Sequence, residues 1–325
     1  MGPIWISESD IRLDMPKSIA LLRNAMKRQA GGQALNMEKT HVPFPGGSMH
    51  AIGAAFADAA LLGVKTWAHT PKGATPLEIL WDAETGKLLA IIEAFAMGQF
   101  RTAGMAGLVT DCLSARDADL LTICGTGKQA LAQVAAVAAV RPLHTVRVFG
   151  RNADRRAGFC TRIQTELNLK TEEFSDVAAA VRNSPIITLV TRAKEPFLTE
   201  DMPARGAHIN AMGAITPERQ EFTPELLARC AIVAVDSVAQ AKAVSSELIA
   251  ATDAKFAWPE PISVSDLVSH HETRPRDADL TLFKSVGIGI ADLALAEEIY
   301  RVARASNAGR ELPVPAPAPL SFRQS

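Results

Sequence analysis

The chain has 325 residues, 48% hydrophobic and 21% charged, and its 34 basic and 35 acidic side chains leave a formal net charge of −1. Balanced charge excludes a basic groove for nucleic acid and a polybasic membrane patch, and no apolar run reaches the roughly 18 residues of a spanning helix. The length exceeds a single core and suits two domains.

The N-terminal MGPIWISESDIRLD carries charges where a signal peptide needs an apolar core, and Ile6 stands where a myristoylation signal needs Ser or Thr. Ile11–Gln29 reads as a helix. Short segments follow, separated by the breakers VPFPGG (Val42–Gly47) and HTPKGATP (His69–Pro76), so that His50 and His69 are expected in loops. The apolar segment Leu61–Val64 would place Lys65 at the end of an element. Leu77–Trp81 and Leu88–Glu93 read as a hairpin turning at Gly86, and Met97–Phe100 leads to Arg101, which is expected to open the helix Thr102–Leu113. This is α+β texture.

From Leu120 the texture changes. The apolar strand Leu120–Cys124 runs into Gly125-x-Gly127-x-x-Ala130 and then into the helix Gln129–Val140. Such a strand, turn and helix is built to hold a dinucleotide: the first glycine permits the tight turn, the second lets backbone approach a diphosphate, and the small third residue lets helix pack on strand. Strand Thr145–Phe149, helix Ala153–Leu167, a helix near Asp176–Arg182, strands Ile186–Thr191 and His208–Met212, helix Pro224–Arg229 and strand Ile232–Val235 continue the alternation. The expected fold class is therefore α/β, a Rossmann-type doubly wound parallel sheet at residues 117–289. The amphipathic helix Gly289–Ala305 is expected to return to the first domain, which comprises residues 1–116 completed by 290–325, with the proline-rich tail after Gly309 as an extended arm.

Residue chemistry narrows the ligand. Where an NAD-preferring fold places a carboxylate at the end of the second strand, this chain has Phe149-Gly150-Arg151-Asn152, followed by Arg155 and Arg156. A guanidinium there can stack on adenine and pair with a 2′-phosphate, so NADP(H) is preferred over NAD(H); the same arginines also suit a solvated helix start. Lys65 and Arg101 are candidate anchors for a small carboxylate, though each taken alone also fits an exposed surface charge. Cys112, Cys124, Cys160 and Cys230 share no metal-type spacing, so no metal is expected, and the thiols fit a reduced cytoplasmic protein.

GVKTW, GQFRTAG, ICGTGKQA, INAMGAITPERQEF and TLFKSVGIGIADLA, in that order, resemble the ornithine cyclodeaminase and mu-crystallin family over the stretch from Lys39 to Tyr300. The resemblance implies a discontinuous α+β substrate and dimerisation domain beside the Rossmann domain, and a homodimer formed through it. It implies that Lys65 and Arg101 hold the substrate carboxylate and carry the reaction, with Lys39 standing where the family has an arginine. It further implies that Gly125, Thr126, Gly127, Lys128 and Gln129 hold the diphosphate and that Arg151 and Asn152 hold the 2′-phosphate. Thr191, Met212 and Ser285 would lie near the nicotinamide, and Thr102 and Arg155 complete the expected cofactor set. The cyclodeaminases that resemble this chain carry Asp after the glycine of NAMG, where Ile215 stands, which argues against cyclodeamination. GAITP is similar to the segment in reductases of Δ1-pyrroline-2-carboxylate and Δ1-piperideine-2-carboxylate. The expected activity is NADPH-dependent reduction of a cyclic ketimine carboxylate to L-proline or L-pipecolate. The alternatives are another amino-acid or N-alkyl amino-acid dehydrogenase of the family, or an NADPH-binding protein with little turnover.

Overall fold

Two sheets of opposite character organise the chain in the computed structural model, which describes residues 2–271 and 273–317. From the N-terminus run β1 (Ile4–Ile6), α1 (Met15–Ala30), β2 (Ala34–Asn36), β3 (Thr40–Phe44), β4 (Gly47–Phe56), β5 (Leu61–Thr70), β6 (Gly73–Ala74), β7 (Leu77–Asp82) and β8 (Leu88–Glu93). Next come α2 (Phe95–Leu113), β9 (Leu120–Cys124), α3 (Ala130–Ala138), β10 (Thr145–Phe149), α4 (Ala153–Leu167), β11 (Lys170–Phe174), α5 (Val177–Val181), β12 (Ile186–Leu189) and β13 (His208–Ala211). The chain continues through β14 (Cys230–Val235), α6 (Val238–Val244), α7 (Ser246–Ala254), β15 (Ile262–Ser263), α8 (Val264–Ser269), β16 (Leu280–Lys284), α9 (Gly289–Ser306) and β17 (Arg310–Glu311).

The first sheet has the order β17-β1-β8-β7-β5-β4-β2, with β3 on β4 and β6 on β5. Its hairpins are antiparallel, and one face is buried while the other meets solvent, so burial alternates along β7. Proline is tolerated at Val42-Pro43-Phe44 because β3 is an exposed edge strand with no further neighbour to supply. Helix α9 closes the buried face and packs against β4 and β5, as well as α1 and α2. Its N-terminus has no cap of its own, and Asn36 of β2 supplies one, its Oδ1 accepting from Gly289 N at 2.8 Å.

The second sheet is parallel throughout, in the order β11-β10-β9-β12-β13-β16-β14-β15. Its central strands β12, β13 and β16 are buried at every residue, as expected where helices cover both faces of a parallel sheet. This is the doubly wound architecture expected for a Rossmann domain. Buried polar side chains on its inner strands satisfy one another: His208 lies 3.0 Å from Thr281 Oγ1 and 3.2 Å from Asn210 Oδ1, and burial lowers its pKa to about 3. His208 is thus a neutral structural residue.

Several local expectations change. Helix α2 begins at Phe95 rather than Thr102, because the side chain of Glu8, far away in sequence, accepts from Phe95 N (2.7 Å) and Ala96 N (2.9 Å) and caps it. Arg101 therefore sits in the second turn. Strand β5 continues to Thr70, so Lys65 is in mid-strand, and His50 and His69 lie on β4 and β5 rather than in loops. Strands β11 and β16 and helices α6, α7 and α8 were not foreseen; in β16 the charge of Lys284 interrupts the apolar signal, whereas in the fold that lysine is buried and paired with Glu247. The tail after Gly309 pairs briefly with β1 through β17, and its last part, residues 318–325, lies outside the described residues.

Candidate active site

The carboxyl edge of the parallel sheet gathers the residues expected to meet a dinucleotide. Gly125 leaves β9 at φ +121°, and a Cβ there would lie 2.7 Å from Val190 O, so glycine is required on both conformational and steric grounds. A Cβ on Gly127 would meet nothing within 4 Å. Among the described residues, the N–H groups of Gly127, Lys128 and Gln129 donate to no protein acceptor, and the buried Gln129 Oε1 also lacks a partner. Open ground beside unpaired donors at the start of α3 is what a diphosphate requires, so the loop fits the group.

At the end of β10, Arg151, Asn152 and Arg155 are exposed. Asn152 has a structural duty, its Oδ1 accepting from Arg155 N at 2.9 Å to cap α4. Arg156 is engaged internally, donating to Gly150 O at 2.6 Å and facing Glu173 at 3.5 Å. The guanidinium groups of Arg151 and Arg155 have no such partner among the described residues.

Thr191, Met212 and Ser285 follow β12, β13 and β16, three neighbours in the sheet. Two buried carboxylates not singled out in the sequence hold their loops. Glu221 accepts from Thr191 N (2.6 Å), Thr191 Oγ1 (2.8 Å), Gly213 N (2.8 Å) and Ala214 N (3.1 Å), while burial pushes its pKa up. Asp236 accepts from Ser285 Oγ (2.8 Å) and Gly287 N (2.7 Å), which fixes the serine hydroxyl. The half-buried Ile215 follows the loop that Glu221 pins and adds an aliphatic side chain to it.

A cationic cluster adjoins this edge. Lys65 projects from the buried face of β5 and donates to Asp292 Oδ1 in the first turn of α9, and Arg101 Nε from α2 lies 3.2 Å from the same oxygen. The Arg101 contact is an ion pair without hydrogen-bond alignment, and Asp292 Oδ2 has no partner among the described residues. Burial, then Arg101, pulls the Lys65 ammonium down to about 8 against the opposing pull of Asp292. A Cβ on Gly287 would fall 2.9 Å from Arg101 Nη1, which puts the guanidinium against the loop bearing Ser285. Lys39, between β2 and β3, is close enough for its pKa to be lowered by burial and then by Arg101. Thr102 points back along its own helix, donating to Gly98 O at 2.9 Å.

His50 stacks on Trp67 with centroids 4.8 Å apart, and Lys65 Nζ lies 5.5 Å from the same indole ring. The His50 Nε2 is 2.6 Å from Ser48 Oγ, its Nδ1 is buried without a partner among the described residues, and burial followed by Lys39 lowers its pKa. Asp292 and the buried Glu78 were also missed in the sequence; the acidic residue in GIADLA was the only available sign of the former. Three cations around one directly paired carboxylate can take a further anion, and they do so beside the edge that suits a dinucleotide. Among the described residues no group of His, Cys, Asp and Glu is arranged to hold a metal, and no helix is long and apolar enough to cross a membrane.

A model of the ornithine cyclodeaminase/mu-crystallin family matches residues 7–307. The Delta(1)-pyrroline-2-carboxylate reductase of Bacillus cereus is 28% identical over 237 residues, covering 72% of this chain and 73% of that protein. Ketimine reductase mu-crystallin of Mus musculus is 30% identical over 222 residues, covering 68% and 67% respectively. Among solved structures, Delta(1)-pyrroline-2-carboxylate reductase of Thermococcus litoralis, in complex with NADH and L-proline, matches with a TM-score of 0.90 at 24% identity, over 95% of this chain and all of that one.

Proposed function

The chain belongs to the ornithine cyclodeaminase/mu-crystallin family, and from that premise and the site's geometry we propose that it reduces a cyclic ketimine carboxylate with NADPH, giving L-proline or L-pipecolate. It is an oxidoreductase acting at a C=N or CH–NH bond. The observation that carries the substrate reading is the sharing of Asp292 by Lys65 and Arg101, which leaves a net positive cradle against the loop of Ser285.

In this reading Lys65 and Arg101 hold the substrate carboxylate, with Lys39 at the margin. Gly125, Thr126, Gly127, Lys128 and Gln129 hold the diphosphate, Arg151, Asn152 and Arg155 the 2′-phosphate side, and Thr191, Met212, Ser285 and Thr102 flank the nicotinamide end. Bound there, NADPH supplies a hydride. A protonated cyclic imine brings its own proton, so reduction needs orientation and an anchor rather than an acid at the place of Ile215. Oxidation of an open-chain amino acid would also need a group to activate water, and an aliphatic side chain there does not supply one. The presence of two sheets of different character supports a division into residues 1–116 with 290–325 and residues 117–289. A homodimer through the first sheet would cover the exposed Val42, Phe44 and Met49. Free thiols at Cys112, Cys124, Cys160 and Cys230 suit the cytoplasm.

The test is NADPH consumption with five- and six-membered cyclic ketimine carboxylates beside pyruvate with ammonia or methylamine. Turnover with the cyclic imines alone is expected. Turnover only with pyruvate and an amine would favour the open-chain alternative, and tight NADPH binding without any reduction would favour a binding protein. Arg151→Ala is expected to raise KM for NADPH about tenfold, a loss of about 1.4 kcal/mol, with KM for NADH unchanged. An equal change for both cofactors would assign Arg151 to the solvated surface.

A further inference from the structure

Glu78 is a charged residue in an apolar setting that the proposed reaction does not use. It stands directly across from Lys65 in the β5–β7 pairing and is 1% exposed. Room for its carboxyl is made at Gly63 of β5, where a Cβ would lie 2.7 Å from Glu78 Oε1 and 2.7 Å from Leu293 Cδ1. Glycine inside a strand weakens it, and here it admits a carboxyl near Leu293 of α9, the residue next in sequence to Asp292. Glu78 Oε2 and Asp292 Oδ2 are both buried without partners among the described residues.

The charged groups facing Glu78 are Lys65 from β5, Arg101 from α2 and Asp292 from α9, and its partner on β8, Ile92, is apolar. Burial, then Asp292, pushes the Glu78 pKa well up, while Lys65 and Arg101 oppose the shift. Two carboxyl oxygens without partners beside two cations form a group in which the charge of Glu78 depends on what the cations face.

We propose that Glu78 couples binding of the substrate carboxylate at Lys65 and Arg101 to uptake of one proton from solvent. The inference rests on the carboxylate-anchoring role given above to those two cations. A carboxylate seated there is a further anion drawing on cations already shared with Asp292, so an ionised Glu78 beside it becomes more costly. The balanced event is free carboxylate plus Glu78 carboxylate plus one proton, giving bound carboxylate and neutral Glu78 carboxyl. Below the pH at which Glu78 ionises, binding takes up no proton through it; above, uptake approaches one, and affinity falls as pH rises. Glu78 acts through Lys65 and Arg101 and is a positioning residue.

Isothermal titration of the NADPH-loaded protein with furan-2-carboxylate, whose ring carries no titratable nitrogen, tests the coupling in buffers of different ionisation enthalpy from neutral to about pH 10. The wild type is expected to take up more protons than Glu78→Gln, the difference approaching one, and its log affinity to fall more steeply with pH. Lys65 also titrates, and loss of Glu78 lowers its pKa and so adds to the uptake of the variants; an excess in the wild type therefore belongs to Glu78. Glu78→Met, which has similar length and no proton to exchange, is expected to behave like Glu78→Gln. Equal proton uptake in wild type and both variants overturns the coupling alone. Failure of the wild type to bind furan-2-carboxylate at any pH overturns the anchor as well, which separates the two failures.

Discussion

Arg101→Ala is expected to lower kcat/KM for the cyclic imine by about a thousandfold, roughly 4 kcal/mol, while NADPH affinity stays within about twofold. The size follows from what a guanidinium does in a half-enclosed site. It pairs with a carboxylate through two parallel N–H groups, and its removal leaves the substrate anion facing Lys65, which Asp292 already partly neutralises, and the marginal Lys39. NADPH affinity survives because the diphosphate is held by unpaired backbone N–H groups of Gly127, Lys128 and Gln129, with which the Arg101 side chain makes no hydrogen bond among the described residues. Arg101→Lys is expected to recover only part of the loss, since an ammonium cannot reproduce the fork. Parallel loss of substrate turnover and NADPH binding would show instead that Arg101 holds the sheet edge together through its contact with the loop at Gly287.

The second large effect is expected on stability. Asp292→Ala leaves Lys65 and Arg101 beside each other without their shared counter-charge, in a place where the Lys65 side chain is 5% exposed. Breaking a buried ion pair from one side costs about 3–5 kcal/mol. The lower end is expected here because Glu78 lies close enough to ionise and take over part of the neutralisation. Chemical denaturation should therefore show a loss of about 3 kcal/mol, and Glu78→Gln combined with Asp292→Ala should lose more than the two single changes added together. Additive losses would mean that the two carboxyls act on separate cations. Substrate binding should weaken in Asp292→Ala as well, since Lys65 and Arg101 lose the group that orients them.

The parallel sheet was readable along the chain because its signals are local. Helix α4 was expected over the residues it occupies, since Asn152 caps it and an apolar stripe follows. The loop at Gly125 is dictated by a backbone turn that glycine permits and by contact with the next strand. The expected start of α2 was displaced because its cap is Glu8, a residue no window around Phe95 contains. β16 was hidden for a related reason: Lys284 looks like a breaker until Glu247 is brought beside it.

The alternation of strands and helices, the glycine loop and the cationic residues Lys65, Arg101 and Arg151 are legible along the chain, because turns, periodicity and side-chain charge are properties of neighbouring residues. What those charges face is set by the folded chain. Lys65 and Asp292 are separated by 227 residues and meet because α9 returns to cover β5. Glu78 joins them through strand register, and Arg101 through a helix whose start another segment fixes. Burial then changes the chemistry, since an ammonium and a carboxyl removed from water titrate according to their new neighbours rather than their type.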